Sequence, residues 1–189
     1  MTPRGSYHHG DLRRALLAAA VTAIEESGPA ALSLRELARR AGVSHAAPAH
    51  HFGDKSGLLT ALAIEGFDGL AAALTEAHER TGDLREVGVA YVKFAVDHRA
   101  HFEVMFRPEL YQADDPQVIA ARERAGSVLS GGVANLPAEQ TGGDPLPAQL
   151  AAWSIVHGFA TLWLGGVLPE EIGPDAEAAA RSVVTLLFR

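Results

Sequence analysis

Cysteine is absent from the 189-residue chain, and lysine is nearly absent, since only Lys55 and Lys93 occur. Without cysteine, disulfides, thiolate zinc sites and a cysteine nucleophile are excluded. No charged segment followed by an apolar one opens the chain, so we expect no signal peptide. The longest apolar stretch, residues 150–168, is interrupted by Ser154, His157 and three glycines. This interruption indicates a buried helix of a soluble, cytoplasmic protein that does not contact a membrane.

Charge is distributed unequally along the chain, whose formal net charge is −7. Residues 1–56 carry seven Lys/Arg against five Asp/Glu, whereas the remainder carries nine against eighteen. Five of the nine histidines also lie in residues 1–56. A cationic N-terminal region on an anionic body is typical of a small DNA-binding domain attached to a body with another role. A chance distribution of charge is the alternative.

Helical periodicity runs through nearly the whole chain, and no strand alternation persists anywhere. The pattern predicts an all-α fold of about nine helices. Asp83, Asp115 and Asp144 are predicted helix caps. The glycine pair at 131–132 is predicted to follow the end of a helix, and residues 137–147 are predicted to form a mobile loop. The predicted helices cover residues 11–27, 34–41, 45–52, 55–80, 83–98, 99–106, 115–130, 145–165 and 175–189.

The sharpest pattern lies in residues 34–52, where two short helices are joined through Gly42. Two short helices around a glycine turn are typical of a helix-turn-helix, whose second helix enters the major groove of DNA. The small side chain of Ala38 allows the two helices to approach closely. The residues expected to pack against the first helix are Leu37, Ala41 and Val43.

The starts of these two helices have specific predicted caps. Ser33 and Glu36 have the spacing of a capping box, in which the serine caps the backbone and the glutamate reaches back. Ser44 is predicted to cap the second helix. Pro48 would then be the fourth helical residue and would cost only the first intrahelical hydrogen bond.

The segment Leu34–Ser44 (LRELARRAGVS), followed by His51-Phe52, Lys55 and Leu58-Leu59, resembles the DNA-binding domain of the TetR family. The opening Tyr7–Arg13 is also similar to starts found in that family, so the resemblance covers about residues 7–65. It implies a transcriptional regulator with a DNA-binding domain at residues 1–56 and an effector-binding and dimerisation domain at residues 57–189. The segment Trp153–Gly158 (WSIVHG) resembles the subgroup that is named for a Trp-His-Gly signature.

The resemblance implies a set of DNA contacts, and it also has one gap. Ala49 stands where the family usually has a tyrosine, whose hydroxyl would contact a DNA phosphate. Arg4 and Tyr7 form either an arm along the adjacent backbone or a disordered tail. The residues predicted to contact DNA are Ser33, Ser44, His45, Ala46, His50, His51 and Lys55.

Several of these residues have an alternative role. Lys55 begins a long helix, where the macrodipole disfavours a cation, so either a phosphate binds there or the lysine is simply solvated. Ser33 and Ser44 either cap helices or touch phosphate. His51 either binds phosphate or packs within the fold. The best candidates for contacts to base edges are His45, Ala46 and His50.

A small-molecule site is predicted in the body, because aromatic and apolar residues recur there at helical spacing. An ordinary core is the alternative for each of them, and His157 is either a satisfied core histidine or a ligand contact. The effector is expected to be apolar or aromatic. The predicted ligand-binding residues are Tyr91, Phe94, Phe102, Met105, Phe106, Trp153, His157 and Trp163.

The helix at 146–165 is apolar on nearly every side and must be covered on most of them. With the last helix, it predicts a four-helix interface between two copies of the chain, and a purely internal core is the alternative. The predicted interface residues are Val156, Phe159, Leu162, Val183, Val184 and Leu187.

The resulting hypothesis is a ligand-responsive repressor that binds a palindromic operator as a homodimer. No nucleophile–base pair, phosphate loop or metal motif has suitable spacing, so we expect no enzyme activity, metal or cofactor. The competing hypothesis is a helical small-molecule-binding protein that has lost specific DNA binding, which Pro48 and Ala49 motivate.

Overall fold

The structure of the chain is a computed structural model that describes residues 9–134 and 143–186. Within these residues the chain forms nine α-helices and no strand, which confirms the all-α prediction. Short 3-10 turns lie at Pro29–Ala31, Pro108–Leu110 and Glu170–Ile172. The helices are α1 (His9–Ser27), α2 (Leu34–Arg40), α3 (Ala47–Phe52), α4 (Lys55–Thr81), α5 (Leu84–Asp97), α6 (Arg99–Met105), α7 (Pro116–Ala134), α8 (Pro145–Leu164) and α9 (Ala176–Val184).

Aspartate side chains cap three of the body helices. Asp83 accepts a hydrogen bond from the backbone N–H of Arg85, and Asp144 accepts one from Leu146. Asp175 accepts from Glu177 and from the following residue. These contacts satisfy amide groups that have no partner within the first turn of a helix.

Two predicted helix ends are wrong. α7 continues through the glycine pair at 131–132 to Ala134, because two helical glycines lower stability without ending a helix that packs along its length. α9 ends at Val184, before the C-terminus that was predicted as its end. The predicted mobile loop at 137–147 lies largely outside the described residues, and α8 already begins at Pro145.

Two compact units make up the chain. The first comprises residues up to Glu65 together with Ala100–Asp115, and the second comprises Gly66–Arg99 and the residues from Pro116 onward. α4 therefore belongs to both units. Fully buried side chains of the first unit include Leu16, Ile24, Leu37, Leu58, Leu62 and Met105, and those of the second include Val92, Val118, Val133 and Val184. The predicted domain boundary after residue 56 stays a prediction.

One helix of the described residues, α4, is long and apolar enough to cross a membrane by length and composition. Within the chain, 61% of its apolar window is buried, as expected of the core helix of a soluble protein. α8 was predicted to be the buried helix, yet in the single chain it exposes Leu150, Trp153 and Leu162 by 41–50%. Only one face of α8 is therefore covered by its own chain.

Candidate nucleic-acid interface and effector site

The α2–turn–α3 segment has the geometry of a helix-turn-helix. Gly42, in the turn, adopts a φ of 66°, in the left-handed region that favours glycine. The backbone N–H of Val43 donates to the carbonyl of Ala38 at 3.0 Å and closes the turn. Leu37 and Ala38 are fully buried, as predicted, so α3 is held against a packed scaffold.

The predicted capping box at the start of α2 is wrong. Ser33 precedes the helix, but its side chain makes no cap hydrogen bond. Glu36 binds guanidinium groups, with its Oε1 2.6 Å from Arg39 and 3.0 Å from Arg40. These two hydrogen bonds lower the pKa of Glu36 to about 2. Because this carboxylate already accepts hydrogen bonds from two guanidinium groups, it does not accept one from the backbone N–H as it would in a capping box.

The predicted cap of α3 is also wrong, and the reason is the proline. The helix begins at Ala47 with Ala46 at the N-cap position, while Ser44 only closes the preceding turn through its carbonyl. Pro48 is thereby the second helical residue, where no backbone N–H is needed for an intrahelical bond. Pro48 is buried, and because it lies in the first turn it removes no intrahelical hydrogen bond.

The exposed surface of this segment is polar and carries most of the predicted DNA contacts. Ser44, His45, Ala46 and His50 are exposed, and so are Ser33 before α2 and Ala49 at the position of the missing tyrosine. His51 is half-buried, and its ring lies 5.5 Å from that of His50 in an edge-to-face arrangement. Arg4 and Tyr7 lie outside the described residues.

Lys55, the first residue of α4, has a partner within the chain. Its Nζ donates to the carbonyl oxygen of Ala30 at 2.7 Å, so the alternative of a merely solvated lysine is wrong. The hydrogen bond ties the start of α4 to the turn that follows α1. An ammonium group has three donors, and the remaining two are compatible with a phosphate.

Gly57 is a residue of this region that the sequence analysis missed. A Cβ atom at this position would lie 2.0 Å from the carbonyl oxygen of Phe52, the last residue of α3. Its backbone N–H also donates to the side chain of Asp54 at 2.8 Å. Because every other amino acid has a Cβ, only glycine permits this approach of α4 to the end of α3. In the sequence, the feature that could have pointed to Gly57 is its position directly before the Leu58-Leu59 pair.

In the body, three of the predicted effector residues lie together. The hydroxyl of Tyr91 on α5 lies 2.9 Å from Nδ1 of His157, and Nε1 of Trp153 donates to that hydroxyl at 3.4 Å. Since indole can only donate, Tyr91 accepts from Trp153 and has its own proton for His157. Burial raises the pKa of Tyr91 and lowers the pKa of His157, which favours neutral forms of both.

The contacts described for the other predicted effector residues are separate ones. Phe94 is buried, and its ring lies 4.7 Å from that of His98. Trp163 lines an open groove of about 390 Å³ with Lys93, Asp97 and Glu177 among its walls. The remaining three belong to the first compact unit: Phe102, Met105 and Phe106. A single pocket formed by all eight residues stays a prediction.

The predicted interface residues divide into buried and exposed ones. Val156, Phe159 and Val184 are at most 7% exposed within the single chain. Val156 and Val184 pack on Gly88 of α5, where a Cβ would lie 3.2 and 3.1 Å from their methyl groups. Leu162 is exposed, Val183 is half-buried, and Leu187 lies outside the described residues. The exposed Leu150 and Trp153 were not predicted for this surface.

Comparison with known proteins identifies the class of protein. Residues 84–187 match the tetracyclin repressor-like C-terminal domain, and residues 16–62 match the bacterial regulatory proteins of the tetR family. The first match alone spans more than half of the chain. The protein therefore belongs to the TetR family of transcriptional regulators, as its helix-turn-helix predicts.

Individual relatives agree with this assignment. The chain is 33% identical over 111 residues to the HTH-type transcriptional regulator BetI of Rhizobium meliloti (strain 1021). That match spans 58% of this chain and about half (47%) of BetI. A Rhodococcus sp. RHA1 protein of unknown function superposes with a TM-score of 0.79 at 37% identity, covering 98% of both chains. The TetR family regulator PfmR from Thermus thermophilus gives a TM-score of 0.70 at 26% identity, covering 91% of this chain and 96% of PfmR. The Trp-His-Gly subgroup stays a prediction.

Proposed function

We propose that the protein is a cytoplasmic, ligand-responsive repressor that binds a palindromic operator as a homodimer. The observation that carries this proposal is the surface of residues 44–50, where Ser44, His45 and His50 are exposed on a buried helix-turn-helix scaffold. TetR-family regulators bind DNA and small-molecule effectors and are not enzymes. We accordingly assign no reaction to the chain.

The proposed contacts follow from exposure and chemistry. His45, Ala46 and His50 lie on the exposed side of the α3 segment, so their side chains are available to base edges in the major groove. The methyl group of Ala46 suits the methyl group of thymine. Ser33, Ser44, His51 and Lys55 are assigned to phosphates, which set the register of the protein on the duplex.

The proposed dimer forms through α8 and α9 of two copies. In the single chain, α8 exposes three large apolar side chains: Leu150, Trp153 and Leu162. Gly158, on the same helix, has no atom within 4 Å of an added Cβ. An apolar helix face of this kind is stable in water only when another surface covers it. A second copy related by twofold symmetry presents the same face. Leu162 and Val183, with Leu187, are the predicted interface residues that this arrangement retains.

The proposed effector site includes Tyr91, Trp153 and His157. A neutral histidine, a phenol and an indole within hydrogen-bonding distance suit a small aromatic molecule with one or two polar groups. Effector binding in the body would favour a second dimer geometry, and α4, which belongs to both compact units, is the element available to transmit it.

Selection of duplexes from a random library with the full-length chain tests the proposal. The expected product is an inverted repeat whose half-sites lie about 34–36 Å apart, with an affinity that falls steeply with salt. His45→Ala and His50→Ala should lose the selected sequence, whereas His98→Ala, an exposed histidine of the second unit, should retain it. If the selection enriches no duplex sequence even at low salt, the result would favour a small-molecule-binding protein without specific DNA binding. The exposed Ala49 supports that alternative.

Sedimentation of matched variants tests the dimer. Leu162→Glu places a charge on the proposed interface and should yield monomers. Ile119→Glu alters an equally exposed apolar residue on α7, with 41% exposure against 47%, and should leave the oligomeric state unchanged. A wild-type chain that sediments as a monomer at micromolar concentration would contradict the proposed assembly.

A further inference from the structure

The segment that is proposed to enter the major groove contains no lysine or arginine. Residues 42–53 carry three histidines, His45, His50 and His51, as their only basic side chains. Two of the three are exposed, and His51 is half-buried beside His50. Histidine is the side chain whose ordinary titration lies between pH 5 and 8. Within residues 42–53, any positive side-chain charge therefore has to come from histidine.

The permanent cations that pack against α3 are already engaged within the chain. The guanidinium carbon of Arg13 on α1 lies 5.3 Å from the ring centre of Phe52. On α2, Arg39 and Arg40 pair with Glu36, and Arg40 also pairs with Glu26 at 2.7 Å. These contacts pair the guanidinium groups of Arg39 and Arg40 with carboxylates of their own chain.

The remaining charged groups at the starts of α2 and α4 are Arg35, Asp54 and Lys55. Lys55 is hydrogen-bonded to the carbonyl of Ala30, and Asp54 accepts from the backbone of Gly57 at the start of α4. Arg35 at the start of α2 is exposed and keeps its charge at every pH. Arg35 therefore attracts phosphate independently of pH, and protonated histidines would add to that attraction at low pH.

We propose that this protein takes up protons on the histidines of residues 42–53 when it binds duplex DNA, so that its affinity for DNA rises as the pH falls. The partner that drives the uptake is the phosphate backbone, because an anion close to an imidazole stabilises the charged form. By linkage, a group that is more protonated in the complex makes binding stronger at lower pH. This inference rests on the proposed DNA-binding function and adds a regulatory input that acts at the reading surface, separately from the effector site.

The expected size of the effect is measurable. The affinity should rise several-fold per histidine from about pH 8 to about pH 6, the range in which histidine changes its charge. The dependence on salt should change as well. Each protonated histidine at a phosphate should steepen the slope of log K against log salt by about 0.9 at pH 6 relative to pH 8. A histidine with a purely structural role would leave that slope unchanged.

The experiment measures the affinity of the full-length chain for its selected duplex from about pH 5.5 to 8.5 at constant ionic strength, around the range in which histidine titrates. Circular dichroism at each pH verifies that the chain stays folded. The wild-type chain should bind more tightly at low pH. On a scrambled duplex, which needs no base contacts, His45→Gln/His50→Gln should reduce the pH dependence of binding, and adding His51→Gln should remove most of the rest. His98→Gln should retain the wild-type profile. His50→Lys introduces a side chain that is charged throughout this pH range. It should therefore reduce the pH dependence of the affinity for a scrambled duplex, which is bound mainly through phosphates.

The outcomes separate the two proposals. A selected duplex that binds with the same affinity across the pH range would refute the proton uptake and leave the regulator function intact. A pH dependence that persists in the triple glutamine variant would assign the uptake to other groups, such as His8 and His9, and would also refute it. Failure to bind any duplex sequence-specifically would overturn the proposed function, and the proton uptake with it.

Discussion

The exposed surfaces of the helix-turn-helix and of the body helices differ in chemistry. Around α3 the exposed side chains are polar or small, such as His45, His50 and Ala46, and the apolar residues Leu37 and Ala38 are fully buried. In the body the arrangement is reversed. Leu150 and Leu162 of α8 are exposed, whereas the hydroxyl of Tyr91 on α5 is buried and hydrogen-bonded to His157 of α8. A polar surface suits a charged, hydrated partner such as DNA, and an apolar surface suits a second protein surface. The difference indicates two separate contact sites in one chain.

The two regions also differ in how tightly a glycine is enclosed. At Gly57, beside α3, the nearest atom is a backbone carbonyl oxygen, and at Gly88, on α5, the nearest atoms are methyl groups of valine side chains. Side chains can shift by tenths of an ångström, whereas the backbone of a helix end cannot do so without losing hydrogen bonds. The helix-turn-helix is therefore expected to tolerate an added methyl group less well than the body.

Gly57→Ala should give the largest effect. The new Cβ would lie 2.0 Å from the carbonyl of Phe52, so α3 and α4 must separate. We expect a loss of about 3 kcal/mol in the free energy of unfolding and loss of specific DNA binding. Urea denaturation followed by circular dichroism measures the change. Gly126→Ala is the matched control, since no atom lies within 4 Å of its added Cβ, and it should stabilise the chain by up to about 1 kcal/mol.

Gly88→Ala should have a smaller effect on the body. Its Cβ would lie 3.1 Å from Val184 and 3.2 Å from Val156, contacts that small side-chain shifts relieve. The expected loss is about 1 kcal/mol. Trp153 and Trp163 both lie on α8, so tryptophan fluorescence during urea denaturation reports on this region. A loss as large as that of Gly57→Ala would contradict the proposed difference between the two regions.

His157 should make the stability of the body depend on pH. Burial lowers the pKa of His157 below its ordinary value of 6.5, so the unfolded chain takes up this proton first as the pH falls. Stability from this group is present above pH 6.5 and is lost as the pH falls towards the lower folded-state value. Urea midpoints at pH 7.5 and 5.5 (about one unit either side of 6.5) should differ less in His157→Gln than in the wild type. Equal differences in the two proteins would exclude this histidine as the cause.

Glu36 should give the smallest effect, in the helix-turn-helix. Its pKa is lowered from 4.5 to about 2, so the stability that its arginine pairs provide is present above pH 4.5 and lost as the pH falls to about 2. The group is partly exposed, and solvent screens such pairs strongly. Thermal melts at pH 5 and 3 (about either side of the ordinary glutamate pKa) should differ slightly less in Glu36→Gln than in the wild type. Glu25→Gln, an exposed carboxylate on α1, is the control and should melt as the wild type does.

Much of the fold follows from sequence patterns, because local chemistry fixes helix starts and stops. Asp83 and Asp144 cap helices as predicted, and Gly42 makes the turn between α2 and α3. The patterns failed where two local interactions compete. The spacing of Ser33 and Glu36 is that of a capping box, but neighbouring guanidinium groups bind the glutamate.

The candidate sites were predictable in part. Exposure of His45, Ala46 and His50 follows from helical spacing, because the opposite face must pack. The hydrogen bond from Lys55 to Ala30 joins residues 25 positions apart, and no local pattern encodes it. Likewise, helical spacing could not show that Phe102 and Phe106 belong to one compact unit while Tyr91 and His157 belong to the other. Contacts at long sequence separation depend on how helices pack.

The amino-acid sequence alone determined the helical class and the helix-turn-helix, because periodicity, glycine turns and spacing act over a few residues, and its resemblance to the TetR family indicated the class of protein. Only the tertiary structure decided which apolar side chains of α8 face their own chain, and why residue 57 must be glycine. The physical reason is that burial and close contact are properties of pairs of helices. Spacing within one helix defines its faces, and the neighbouring helices decide which face is covered.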